Sequence, residues 1–128
     1  MQPESAALLW DGHTAATRIV QFMDGIHGAT YAAGELRRSA VERQLGIVGE
    51  ALKNLRNADP ETAQQIPDIS RIIGLRNILA HGYAVVDDAL IWSAASQRVP
   101  ELLTTVDQLL AGCPSCTRRC DWYVSGHR

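Results

Sequence analysis

Val41-Glu42-Arg43-Gln44-Leu45-Gly46-Ile47-Val48-Gly49-Glu50-Ala51-Leu52-Lys53-Asn54-Leu55-Arg56 is the stretch on which the fold turns. Val41, Leu45, Val48, Leu52 and Leu55 step by 4, 3, 4 and 3 residues, so on an α-helix they form one narrow apolar seam. Glu42, Arg43, Gln44, Lys53, Asn54 and Arg56 fall between them. A seam of this kind packs against another long helix, and the pattern spans roughly 36–57.

Outward from this helix, the helical period continues in both directions. Upstream, Leu8, Ala15, Ala16, Ile19, Val20, Met23 and Ile26 recur at three- and four-residue spacing and predict one helix over about 4–27. Downstream, Asp59-Pro60-Glu61-Thr62 combines a capping aspartate, a proline in the first helical position and an early glutamate, which together start a short helix. Ile66-Pro67 ends it, because a residue before proline is pushed out of the helical region. Asp68 is then expected to cap a helix carrying Ile69, Ile72, Ile73, Leu75, Ile78 and Leu79, with Gly82 as its stop. After a loop near 85–87, Ile91, Ala95, Val99, Leu102, Val106 and Leu109 mark a last helix that Pro100 kinks or divides and Gly112 ends. No run alternates with period two. The expected fold is all-α, an antiparallel bundle of four to five helices over 1–112, with a mobile tail over 113–128.

Composition fits this picture. The 128 residues suit one domain, with 46% hydrophobic and 20% charged residues. No apolar run is long enough to span a membrane, and Met1 to Arg18 lacks the basic start and apolar stretch of a secretory signal. The expected location is the cytoplasm. The net charge of −2 supplies no general field for nucleic acid, so any RNA contact must come from a local patch. Of twelve basic residues only Lys53 is a lysine. Arginine suits two-pronged phosphate contacts, although the bias also follows from a GC-rich genome. The cysteines, Cys113, Cys116 and Cys120, are odd in number and confined to the tail, which argues against a disulfide framework.

The chemistry lies in Gly74-Leu75-Arg76-Asn77-Ile78-Leu79-Ala80-His81-Gly82-Tyr83. Arginine holds a phosphate by two hydrogen bonds. Histidine takes and gives protons near neutral pH. Together they suffice for RNA cleavage without a metal: a base takes the proton of the ribose 2′-hydroxyl, that oxygen attacks phosphorus, and a cation stabilises the charge that develops. The plainer reading is a helix C-terminus whose cations favour the helix dipole. Geometry also intervenes, since five residues on an ideal helix turn about 500° and leave Arg76 and His81 roughly 140° apart. Either the helix frays at Gly82 and swings His81 round, or the arginine reaches across, or a two-fold axis assembles the site from two chains.

The run Arg76 to Tyr83 matches the R-x4-H-x-Y motif of HepT-like proteins, a branch of the HEPN superfamily. Three further patches resemble that family in the right order: Ala40 to Ala51 its second helix, Ile66-Pro67 with Ile72 to Asn77 the lead-in to the motif, and Val86-Asp87, Trp92 and Val99-Pro100-Glu101-Leu102 its last helix. The resemblance covers about residues 5–111. It implies a homodimeric toxin ribonuclease that needs no metal or cofactor and acts on RNA at a cleft between two chains. It also implies a minimal nucleotidyltransferase antitoxin, MntA-like, that adds AMP to the motif tyrosine.

Carried over to this sequence, Arg76 would bind phosphate, His81 would transfer protons and Tyr83 would accept AMP. Asn77 either helps to orient the phosphate or simply lies on the helix surface. Glu42 and Glu50 are loosely on one side of their helix; they either pair with Arg76 or Arg71 and position the site, or form solvated surface ion pairs. Cys113, Cys116, Cys120 and His127 are four conceivable zinc ligands, but their spacing is unusual, and a reduced, flexible tail is the expectation. His13 and His27 are given no functional role. The resemblance supports two activities, a toxin endoribonuclease or a non-catalytic module that holds a nucleotidyltransferase, because fold alone does not decide function.

Overall fold

A computed structural model describes residues 1–81 and 88–112. The described chain is helical: α1 (Pro3–Met23), α2 (Gly28–Ala33), α3 (Glu35–Ala58), α4 (Pro60–Ala63), α5 (Ile69–Ala80), α6 (Asp88–Ser93), a π turn (Ala94–Arg98) and α7 (Val99–Ala111). Four rods build the bundle: α1, α3, α5, and the composite of α6, the π turn and α7. The fold is the all-α bundle that the helical periodicity predicts.

Helix α3 is central. Val41, Leu45, Val48, Leu52 and Leu55 are all buried, so the 4-3-4-3 seam is the spine of the core. α1 covers one flank of α3, α5 the other, and α7 packs behind α1. α1 runs antiparallel to α3: Ser5 meets Asp59 at one end, and Gly12 faces the Ala51 methyl group further along.

Local chemistry sets the ends of these elements. The expected helix over 4–27 ends early, at Met23, and a short helix that the periodicity did not predict follows at Gly28–Ala33. Gly25 adopts φ +70°, a conformation that suits glycine and breaks the α-helical path, so α1 stops at Met23 and a separate α2 follows. That short helix is anchored by Tyr31, which is fully buried and packs on Trp92 with ring centroids 5.9 Å apart. Asp59 caps α4 as expected: it accepts hydrogen bonds from the Thr62 amide at 3.2 Å and the Thr62 hydroxyl at 2.6 Å, and from the buried Ser5 hydroxyl at 2.8 Å. Asp68 takes the N-cap position of α5, but its side chain makes no capping bond: it sits at φ 58° and its carboxylate instead binds Arg98 at 2.7 Å. The composite rod stays whole at Pro100. Proline lacks an N–H and its ring excludes the carbonyl four residues back. The wider turn just before it, in which the Val99 N–H reaches the Ala94 carbonyl, absorbs the misfit.

Two expected core positions lie outside the core. Val20 and Ile78 are 39% and 37% exposed, because each falls beside the face that its helix turns to α3. Gly112 caps α7 as expected. Gly82, the loop near 85–87 and the tail over 113–128 with its cysteines and His127 lie outside the described residues.

The three hydrogen bonds at Asp59, first from the Thr62 hydroxyl, then from the Ser5 hydroxyl and the Thr62 amide, hold its carboxyl below the usual aspartate range. A folded-state pKa below the unfolded one adds stability at pH above the unfolded value and loses it as pH falls through the folded one. The Asp59→Ala variant is therefore expected to melt at a lower temperature at pH 7. The gap from wild type should shrink as pH drops below about 4. Thermal melts followed by circular dichroism at pH 7, 4 and 2.5 test this; a gap that stays constant would refute the assignment.

Candidate functional site

A groove of about 740 Å³ runs over α3 between α1 and α5. α1 contributes Asp11, Thr14 and Arg18. α3 contributes the stripe Glu42, Gly46 and Glu50 beside Arg43. α5 contributes Arg76, Leu79 and Ala80. The stripe arises because positions four apart on a helix fall on one side.

Arg76 is the best-fixed cation of the groove. Its Nη2 lies 2.6 Å from Glu50 Oε2, and its Nη1 donates to Asn77 Oδ1 at 3.1 Å. The Glu50 contact is a charge pair set off the ideal hydrogen-bonding direction, since no well-angled donor serves that buried oxygen. The Arg76 side chain retains 24% exposure and that of Glu50 46%, although the contacting Glu50 oxygen is itself buried. Of the two expectations for Glu50, pairing with Arg76 across the bundle is what the structure contains. Asn77 is exposed and faces the guanidinium.

The stem of Arg76 reaches this place through a gap in α3. Gly49 is buried, and a Cβ built on it would collide with Arg76 Cβ, lie 2.9 Å from Arg76 Cγ and lie 3.4 Å from the Ile72 carbonyl oxygen. The helical pattern alone gives Gly49 no role. A glycine inside a strong helical pattern costs about 1 kcal/mol relative to alanine, and that local cost was the available signal of a close approach.

His81 is the C-cap of α5. Its backbone is right-handed, its N–H bonds the Asn77 carbonyl, and the residue is exposed. The helix stays intact up to this point, so it does not swing His81 round to Arg76. The structure thus brings Arg76 together with Glu50 and Asn77 and leaves His81 at the helix end, just past Ala80. Tyr83 lies outside the described residues.

Beyond Glu42 the groove meets a second group of charges. Burial, then repulsion from Asp88, pushes the Glu42 carboxyl up, and Arg38 opposes this. Burial, with Glu42 and Asp88 beside it, likewise pushes the Tyr31 phenol up to about 12. Arg38 links the cluster, standing 3.8 Å from Asp88 and donating to the Ala32 carbonyl. His13 lies on the other side of α1, where it pairs with Asp107 of α7 at 2.8 Å and meets Trp10 edge-on. His27 is exposed at the start of α2.

The fold is a helical bundle with arginine in an open groove and histidine at the end of the same helix. The family model described as Ribonuclease HepT-like matches residues 13–109, and the chain belongs to this HepT-like family. "Putative RNase MJ1380" of Methanocaldococcus jannaschii is 32% identical over 101 residues, covering 79% of this chain and 92% of that protein. "Putative RNase TTE0752" of Caldanaerobacter subterraneus subsp. tengcongensis is 30% identical over 92 residues, covering 72% and 81%. No solved structure matches the chain. Among the described residues, no helix is long and apolar enough to cross a membrane.

Because both partners are partly exposed, the Arg76–Glu50 pair contributes little to folding. The Glu50→Ala variant is expected to lose no more than about 1 kcal/mol of stability in urea unfolding. A loss several times larger would show that the pair is a structural keystone rather than a feature of the groove.

Proposed function

We propose that this protein is a toxin-type endoribonuclease that cleaves RNA without a metal ion, using Arg76 and His81. We also propose that a minimal nucleotidyltransferase antitoxin resembling MntA silences it by adding AMP to Tyr83. The observation that carries this reading is the seat of Arg76, a guanidinium fixed in an open groove on the helix that ends at His81. Membership of the HepT-like ribonuclease family supports it, as does the name RNase carried by the relatives.

In this mechanism a phosphate of a single-stranded RNA segment, where the backbone is accessible, meets the Arg76 fork. The 2′-hydroxyl loses its proton to a base and its oxygen attacks the adjacent phosphorus. The 5′-oxygen of the next nucleotide leaves and takes up a proton. The products are a 2′,3′-cyclic phosphate and a 5′-hydroxyl. His81 handles protons in this exchange, and Arg76 stabilises the charge on the phosphoryl oxygens. Glu50 and Asn77 hold the guanidinium until phosphate arrives. Five residues separate Arg76 from His81, which on a helix sets them about 140° apart, so we assign the complete site to a homodimer in which an isologous contact brings the two chains' residues to one cleft. AMP on Tyr83 would add bulk and negative charge beside that cleft and exclude RNA by both.

A second reading has its own support. Asp11, Glu42 and Glu50 share the groove with the arginines, and Arg76 is already paired. A groove of mixed charge also suits a non-catalytic module that holds a nucleotidyltransferase.

One experiment separates the two. The protein and its Arg76→Ala, His81→Ala and Tyr83→Phe variants are incubated with end-labelled tRNA and mixed RNA in EDTA. On the ribonuclease reading, the wild type and Tyr83→Phe cleave and leave cyclic phosphate ends. Each of the other two variants should fall by about 100-fold or more. If an intact dimer, shown by mass to carry no AMP, cleaves nothing, the enzyme reading fails and the binding module stands.

A further inference from the structure

We propose that Gly49 is a positioning residue of this site: the missing side chain at that point of α3 is what lets the Arg76 stem cross the helix and deliver its guanidinium to Glu50 in the groove. The proposal rests on the reading of Arg76 as the phosphate-binding group.

Three glycines lie inside the helices that form this corner, and their surroundings differ. At Gly46 and at Gly74 an added Cβ would meet nothing within 4 Å. At Gly49 it would overlap Arg76 Cβ and lie 2.9 Å from Cγ, with the Ile72 carbonyl at 3.4 Å on the same side. The first two atoms belong to the root of a side chain and the third to backbone. None is a flexible end that can swing away. A methyl group at position 49 must therefore push α5 off α3 or turn the Arg76 stem to another rotamer. Either movement carries the guanidinium away from Glu50, which is the next residue along α3. Gly49 is itself buried, so the chain has no slack there, and neighbouring Val48 and Leu52 are core residues that hold α3 in place.

The stem of Arg76 thus occupies the room that a side chain would take. Both the root and the charged head of Arg76 are held against α3. A displacement of about 1 Å at a catalytic group can cost about 100-fold in rate, so Gly49 acts on the chemistry without touching substrate.

The test uses the full-length protein as wild type, Gly49→Ala, Gly74→Ala, Arg76→Ala and the double variant Gly49→Ala/Arg76→Ala. Two readouts are taken on folded material. The first is the modification rate of Arg76 by phenylglyoxal, followed by mass spectrometry of the peptide. Gly49→Ala should raise it at least about threefold as the guanidinium leaves Glu50 for water, while Gly74→Ala leaves it unchanged. The second is the single-turnover cleavage of labelled RNA. Gly49→Ala should lose about 100-fold, and the double variant should be no slower than Arg76→Ala alone, since both changes remove the same function. Unchanged protection of Arg76 in Gly49→Ala overturns the proposal, and so does an additive loss in the double variant.

If no form cleaves RNA, the ribonuclease reading fails, and the arginine protection still decides whether Gly49 places Arg76. If Gly49→Ala does not fold, Gly49→Ala/Arg76→Gly takes its place. Removing the Arg76 stem should restore folding, and a double variant that also fails to fold would overturn the proposal.

Discussion

The approach of α5 to α3 at Gly49 is the constraint on which the rest of the structure hangs. Helices with side chains at every contact stand apart by the bulk of those side chains. Here one side of the contact has none, and the stem of Arg76 fills the space. The apolar seam of α3 fixes where that helix lies, because five buried side chains cannot shift together without opening the core. Ile72, Ile73 and Leu75 then fix the face of α5 that turns toward α3. Given those two restraints, Arg76 has one narrow way out to solvent, over Gly49 and past Glu50. The position of a charged group in the groove is thereby set by apolar packing a few ångströms away. This is a sturdier device than an exposed ion pair, which alone would hold an arginine with about 1 kcal/mol at best.

The groove also shows why net charge is a poor guide here. The chain carries −2 overall, yet Arg18, Arg43 and Arg76 face one channel with Asp11, Glu42 and Glu50 among them. Fields from charges further away than about 8–10 Å are largely screened at physiological salt, so an incoming anion responds to this local set. Within it, Glu50 competes with any phosphate for Arg76. Its 2.6 Å contact is close, but the oxygen that makes it lies off the hydrogen-bonding direction. A phosphate that engages both prongs of the guanidinium offers better geometry than this carboxylate.

The seam of α3 was legible in the sequence because burial on one face forces a period, and Asp59-Pro60 because caps act through neighbours in the chain. Both are local in sequence. What escaped depends on tertiary partners. Asp68 has the composition of a cap, but Arg98, thirty residues on, takes its carboxylate and the backbone turns left-handed. Gly25 looks like any loop-prone residue inside a long periodic stretch, and its positive φ ends α1. Val20 and Ile78 obey the helical period yet lie beside the contact face, since periodicity gives the direction of a stripe but not its width. In the site, Arg76 was legible as a candidate from its motif and Glu50 only as one of two alternatives. Gly49 carried only the general signal of a glycine inside a helix, which Gly46 shares, because a glycine's role is defined by the atoms that fill its space, and these come from another helix.

His81 poses the remaining structural problem, and its solution follows from the same rigidity. If the end of α5 were loose, one chain could fold His81 back toward Arg76. Instead the helix keeps its hydrogen bonds through the His81 amide, and the packing at Gly49 stops α5 from rotating as a body. Ideal helical geometry puts the two residues about 140° apart round the axis. A phosphodiester undergoing in-line attack needs proton transfer at two oxygens on opposite sides of phosphorus and positive charge at the equatorial oxygens between them. One helix cannot present its groups from both sides of so small a target. Two copies facing each other across a two-fold axis can, because each contributes its groups from its own direction. On the proposed function, the stiffness that separates Arg76 from His81 within one chain is what makes a second chain part of the chemistry.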